Sequence, residues 1–400
     1  VVVLISCFVA FFVMVGMVNS TSSLFIVPVC DTYGFSRAAF SVTISLCSLG
    51  SAIINIFYGK IYQRFGIRKM VGTGFIVGGI AFLVMTKATS LPVFYLGGIL
   101  ASVGLGLDST TTMALLINSW FKEKQGVLIG FVSASSGLGG FLFSSLFAVL
   151  IANHGYQSAY LFTAITLLAV SVPMIILIRE KEVPDNDTQD KPQGAKMGGA
   201  GYFAGFAKLL HDRSVRLSLI CTFIIGLIIH GIVVSSSAHL QLKGIDEITA
   251  GIIYGGIYFS MGVFKIIMGY IHDKLGIRLA AITGMGGFII SVILLMFVSS
   301  PAMGWLYVVF AGMGTATESV LTPLLAHNVL GENNYKKYLG IFSAALTSGI
   351  AAGVPIISAV YDMFRTYVPG FIAYCAIAAV VLYLIMISIH DKYSKPVRPE

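Results

Sequence analysis

Charge is what this chain has least of. Of its 400 residues 10% are charged, where a soluble domain carries about 25%. That shortage excludes a water-soluble globular protein, which needs charged side chains to cover its surface. Short alternating segments are missing too. The apolar runs far exceed the roughly ten residues of a membrane β-barrel strand, which excludes that class. Cysteines number five, Cys7, Cys30, Cys47, Cys221 and Cys375, and none forms a CxxC pair. They read as small apolar fillers, with no redox or metal framework behind them. The glycine-rich GLGG at Gly137 to Gly140 has no strand before it and no Lys-Ser/Thr after it, so it is helix packing and not a phosphate loop. No enzyme activity, cofactor or metal is expected. The chain opens on Val, from which a trimmed start is expected. Its first apolar run is too long for a signal peptide and lacks the small-residue cleavage pattern.

What is present in quantity is hydrophobic sequence, 57% of the chain. A membrane span needs roughly 20 apolar residues. Twelve such runs are expected, at about 1–28, 36–58, 70–88, 91–118, 125–152, 157–178, 215–240, 247–272, 277–299, 302–328, 338–361 and 367–389. Between the sixth and seventh lies a polar, Pro-containing linker, EKEVPDNDTQDKPQG, with a short interfacial helix expected around Lys208. The net charge of +8 would suit an acidic partner such as nucleic acid, but topology explains it better. Of the 25 lysines and arginines, 20 fall in loops and tails on one side; Arg37, Lys87, Lys243 and Arg365 fall on the other. The positive-inside bias then puts both termini in the cytoplasm.

The chain repeats itself. At one offset of 210, Gly59 meets Gly269, Gly66 meets Gly276, Arg68 meets Arg278, Thr73–Gly74 meets Thr283–Gly284, and the register holds through Gly104/Gly314 and Asn118/Asn328 to Gly139/Gly349. Two parallel six-helix halves joined by a linker are a transporter plan. The repeated loops are GKIYQRFGIR, with Gly59, Arg64, Gly66 and Arg68, and GYIHDKLGIR, with Gly269, Asp273, Gly276 and Arg278. Both resemble the loop signature of the major facilitator superfamily, and the resemblance covers the whole chain. It implies that these loops gate the transporter. The first copy has Gln63 where the signature has Asp, and the second keeps Asp273, which leaves a charge latch to the second half. YGFSRAAFS, from Tyr33 to Ser41, and NSWFKEKQGVLIG, from Asn118 to Gly130, are similar to stretches of the oxalate/formate antiporters and monocarboxylate transporters. Trp120, Phe121 and Gly126 match there, and Gln125 replaces a basic residue.

Four titratable residues fall deep in the spans. At about 1.5 Å per helical residue, Lys265 lies roughly 12 Å in, Asp108 roughly 18 Å, and Glu318 and His230 roughly 21 Å. The midplane is about 15 Å deep. Asp108 and Glu318 are also repeat equivalents. Charged groups at such depth mark transport pathways by default. The resemblance implies that Lys265, four residues before Gly269, stands where carboxylate transporters of this family hold an Arg. Lys265 is thus a candidate for binding a carboxylate; the alternatives are an ion pair with Asp108 or Glu318, or a snorkelling side chain. Asp108, Glu318 and His230 are candidates for proton coupling, against structural roles for each. Tyr258, Asn19 and Asn55 are candidates for completing the pocket, against simple packing between helices.

The expected fold is all-α, twelve transmembrane helices in two pseudo-symmetric six-helix bundles. The bundles are 1–178 and 215–390, with a cytoplasmic linker at 179–214 and a cytoplasmic tail at 391–400. The expected function is secondary transport of a small organic acid, a monocarboxylate, coupled to protons or a counter-anion, by a monomer in contact with membrane lipids in a bacterial cytoplasmic membrane. Two other readings stay open: proton-coupled transport of a neutral or cationic solute, and a non-transporting membrane sensor.

Overall fold

A computed structural model describes residues 2–121, 125–178 and 205–389. Helices account for nearly all of them. They are α1 (Val2–Tyr33), α2 (Arg37–Ile56), α3 (Tyr58–Thr86), α4 (Leu91–Leu107), α5 (Thr110–Trp120), α6 (Gln125–His154), α7 (Tyr156–Leu177), α8 (Arg213–Leu242), α9 (Glu247–Leu275), α10 (Ile277–Met296), α11 (Pro301–Gly331), α12 (Tyr338–Phe364) and α13 (Val368–Ser388). Among the described residues eleven helices are long and apolar enough to cross a membrane. The 17-residue α4 falls short of that length. It breaks at Asp108–Ser109 and resumes as α5, so the expected fourth span is two helices. The linker expected at 179–214 lies outside the described residues as far as 204. From 205 a helical turn begins; its Phe206 is buried and packs on Tyr338, ring centroids 5.3 Å apart.

Local chemistry marks the helix ends. The Ser36 hydroxyl accepts from the Ala39 amide at the start of α2, and the Asp246 carboxylate accepts from the Thr249 amide at the start of α9. Both are N-caps, satisfying amides that the helix itself leaves free. The repeat carries through to the backbone. Positive φ occurs at Gly34 and Gly244, at Gly66 and Gly276, and at Gly155 and Arg365, each pair at the offset seen in the sequence. Gly66 (φ 71°, ψ 160°) breaks α3, and Gly276 (φ 87°, ψ 170°) separates α9 from α10. That region of φ/ψ is essentially restricted to glycine.

Within a bilayer, helix association relies on close packing rather than on the hydrophobic effect, so small residues line the contacts. Gly226, Gly349 and Gly353 bring α8 against α12, Gly284 and Gly287 bring α10 against α11, and Gly16 meets Gly139 between α1 and α6. Among the described residues the first seven helices meet the last six chiefly through α6 with α9 and α2 with α12, and also through the Ser22–Phe25 turn of α1 with α8. In the first pair a Cβ added at Gly137 would stand 2.8 Å from the Tyr258 backbone oxygen, and one at Gly140 would stand 2.9 Å from the Tyr258 Cβ. The GLGG stretch is thus a packing surface, and it lies between the two halves.

Candidate functional site

Three of the candidate residues, Lys265, Glu318 and Tyr258, come together on α9 and α11. Lys265 is half-buried on α9 and Glu318 half-buried on α11. The two are within electrostatic reach of each other. Among the described residues, the one ion pair closer than 4.0 Å is His272 with Asp273, so Lys265 and Glu318 are near but not joined. Glu318 Oε1 is buried without a hydrogen-bond partner. Two turns back along α9 from Lys265, Tyr258 lies within reach of Glu318, and its hydroxyl shares a 2.9 Å hydrogen bond with that of Tyr254. Tyr307 of α11 adjoins both tyrosines, and Ser23 of α1 lies beside Tyr254. The Tyr307 and Ser23 hydroxyls are buried and have no partner by geometry. Unmade hydrogen bonds in an interior cost about 1–3 kcal/mol each. Such groups here lie near one cation and one carboxylate.

Asp108 stands apart from this cluster. Its carboxylate is fully buried and neither oxygen has a hydrogen-bond partner. It lies against Gly74 of α3, where an added Cβ would come 2.5 Å from Oδ2. The side chain therefore points from the α4–α5 break toward α3, and Glu318 is the carboxylate near Lys265. The repeat symmetry relates the two acids in sequence while their surroundings differ. His230 is half-buried on α8, and no contact joins it to Lys265 or Glu318.

Asn19 ends a π-helical turn, Met14–Asn19, in the middle of α1, and a 3₁₀ turn, Ser22–Phe25, follows. Such irregular turns are frequent at functional positions. Asn19 lines a cavity of about 50 Å³ with Thr43, Phe82 and Tyr160. Lys265, Glu318 and Tyr258 are not part of that lining. Asn55 is exposed, and its Nδ2 donates to Ser51 O of its own helix.

The loop residues form two groups, one in each half. Gly59 is in the first turn of α3. Arg64 is exposed, its guanidinium 5.5 Å from the Phe65 ring centroid. Arg68 Nε donates to the Ile175 carbonyl near the end of α7, a cation on a helix C-terminus as the helix dipole favours. Around Gly269 nothing lies within 4 Å of an added Cβ. Asp273 is 77% exposed and accepts from its neighbour His272. Arg278 is exposed at the start of α10, just past Gly276.

Sequence reasoning did not single out the start of α2, where the halves meet most directly. The Arg37 and Ala38 amides donate to the two carboxylate oxygens of Asp362 at 3.1 and 2.9 Å. Arg37 Nη1 donates to the Tyr367 hydroxyl at 2.8 Å, and the guanidinium lies 3.7 Å from the Tyr361 ring centroid. Ser41 and Ser358 hydroxyls are 2.8 Å apart, and Ser45 donates to the Ala351 carbonyl. Ile53 of α2, Phe57 just past its end, and Ile266 and Tyr270 of α9 are exposed. Among the described residues, the hydrogen bonds between the halves run from the Arg37 end of α2 to Ser45.

Comparison with known proteins agrees with this architecture. The chain is 24% identical over 272 residues to the uncharacterized MFS-type transporter YcxA of Bacillus subtilis, covering 66% of this chain and 64%, just under two thirds, of that protein. It is 26% identical over 339 residues to monocarboxylate transporter 13 of Rattus norvegicus, 83% of this chain and 74% of that one. It is 28% identical over 168 residues to the oxalate:formate antiporter of Oxalobacter formigenes, 42% of this chain and 40% of that one. In fold it is similar to the crystal structure of the nucleoside transporter NupG, with a TM-score of 0.77 at 13% identity, covering 96% of this chain and 98% of that one. The family model described as Major Facilitator Superfamily matches residues 6–354 and 218–400. This chain is a member of the Major Facilitator Superfamily.

Proposed function

We propose that this transporter carries a small monocarboxylate together with a proton, and that Lys265 and Glu318 are the pair that couples them. The observation that carries this reading is a half-buried cation facing a carboxylate that does not pair with it within 4.0 Å and whose Oε1 has no partner. An ionised Glu318 neutralises Lys265 and repels an anionic solute. A protonated Glu318 leaves Lys265 as an uncompensated cation, which the solute carboxylate satisfies. Anion and proton then favour each other's binding to the same degree, as linkage requires. Tyr258 and Tyr254 border the solute. The names of two relatives, a monocarboxylate transporter and an oxalate:formate antiporter, support the substrate class.

A second reading rests on the same cluster. One base against one acid is neutral overall, and three tyrosines suit an uncharged solute; the likeness to a nucleoside transporter concerns the fold alone. Uptake into proteoliposomes separates the two. With an inward proton gradient, labelled monocarboxylates are expected to accumulate, and uncharged solutes of the same size are not. Accumulation of the uncharged solutes alone supports the second reading. We further propose the division into 1–178, a linker at 179–214, 215–390 and a tail at 391–400, with both termini and the linker cytoplasmic, and the single chain as the working unit in a bacterial cytoplasmic membrane. The Gly66/Gly276 end then opens inward and the Arg37 end is closed toward the outside.

A further inference from the structure

The first turn of α2 and the first turn of α9 are repeat equivalents that solve the same problem differently. A helix N-terminus carries free amides and about half a unit of positive charge. At α9 the chain supplies its own acids, with Asp246 as the cap and Glu247 in the first turn. At α2 the cap is the neutral Ser36, which accepts from Ala39, and the first turn holds no acid. The Arg37 and Ala38 amides go instead to Asp362, which belongs to α12 in the other half. The Arg37 side chain adds a full charge at the same place. It reaches into that half as well, bonding to Tyr367 and stacking on Tyr361. Tyr367 is itself backed by Phe371 and His239, with centroids 6.0 and 6.2 Å away.

We propose that Asp362 is the positioning residue for closure of the Arg37 end: a carboxylate held by one half that completes the helix terminus of the other, and so holds this end shut only while the halves are together. The capping interaction is conditional on conformation. When the end opens, the α2 amides, Arg37 and Asp362 all turn to water. The α9 terminus is unchanged by the same motion, because its acids travel with it. Closure is therefore governed by one carboxylate on one side of the pseudo-symmetric pair. This inference rests on the proposed transport, with the Gly66/Gly276 end opening inward while the Arg37 end is closed, but its test needs neither solute nor transport, so the two fail separately.

The test uses the full chain in detergent or liposomes. Ser41→Cys with Ser358→Cys places two thiols where hydroxyls are 2.8 Å apart, and the rate of disulfide formation under mild oxidant, followed by mass spectrometry, reports closure. In a second background Gly269→Cys, at a position with open space around it, reports access from the other end by maleimide labelling. Asp362→Ala is expected to slow the disulfide fivefold or more and to lower Gly269→Cys labelling, as the molecule shifts toward the opposite state. Asp362→Asn, which keeps the side-chain volume, is expected to slow it at least threefold should the alanine variant not fold, and Asp362→Glu to recover at least half of the original rate. An unchanged disulfide rate in the variants, or a rise in Gly269→Cys labelling such as general loosening produces, overturns the proposal.

Discussion

Lys265 and Glu318 illustrate how far single residues can be read. Their depth in the spans follows from counting along the sequence, and their charge follows from their identity. Which acid faces the lysine does not, because Asp108 and Glu318 are symmetric in the repeat and only packing separates them. The separation yields distinct expectations. Lys265→Met removes a charge-assisted contact and should weaken monocarboxylate binding by about 1.5–3 kcal/mol, measured by calorimetry or ligand-induced thermal shift. Adding Glu318→Gln should relieve any stability lost by stranding that acid without restoring binding. A double variant that regains uptake would make the pair structural. Asp108→Asn should leave solute affinity within about twofold, since the side chain is turned toward Gly74; a large loss would move the site to the first half. Glu318→Gln should bind anion yet lose the stimulation of uptake by acid on the donor side.

At the scale of elements, the positions where helices start, stop and break were only partly legible. Ser36 and Asp246 are recognisable caps, and the paired glycines mark the loops. The π turn in α1 and the break at Asp108–Ser109 lie at glycines, Gly16 and Gly104–Gly106, of a kind that also sits inside unbroken helices of this chain, so tertiary packing decides which of them interrupts the helix. Gly66 and Gly276 hold backbone angles that an L side chain adopts at a cost, so Gly276→Ala should destabilise by about 1–3 kcal/mol, seen as a lowered thermal midpoint, whereas Gly269→Ala, in open space within α9, should be near neutral. The cap on α9 adds a pH effect. The Thr249 backbone amide, first among several hydrogen bonds, holds the Asp246 carboxyl below its ordinary value. A depressed acid contributes stability that is present above the ordinary carboxylate range and lost as the pH falls through its lowered value. The thermal midpoints of the wild type and Asp246→Ala should thus converge on acidification; a gap that stays constant with pH would mean that the charge plays no part.

For the whole molecule, orientation is the property most open to direct measurement. A reporter fused after Glu400 or inserted in the 179–204 segment should be active on the cytoplasmic face, because 20 of the 25 basic residues lie on that side of the expected spans. Activity on the outer face would reverse the direction assigned to both ends of the transporter. In the conformation described here α2 meets α12 at the Arg37 end and α6 meets α9 along the middle of both helices, while Asp273, the acid retained in the second loop, is exposed and accepts from its neighbour His272.

The helical membrane class, most of the spans and the two-fold repeat were determined by the sequence alone. Hydropathy over roughly 20 residues is a local quantity set by the bilayer thickness, and a fixed offset survives any folding. The superfamily was also legible, through the GIR loops. Tertiary structure alone decided what meets what between helices: Glu318 rather than Asp108 near Lys265, and Asp362 on the α2 terminus. Contacts between residues more than 300 positions apart, such as Arg37 with Asp362, depend on how one half rests on the other. Helix association in a bilayer is governed by shape and small residues rather than by a hydrophobic pattern, so the partner of each buried polar group is set only once the helices have packed.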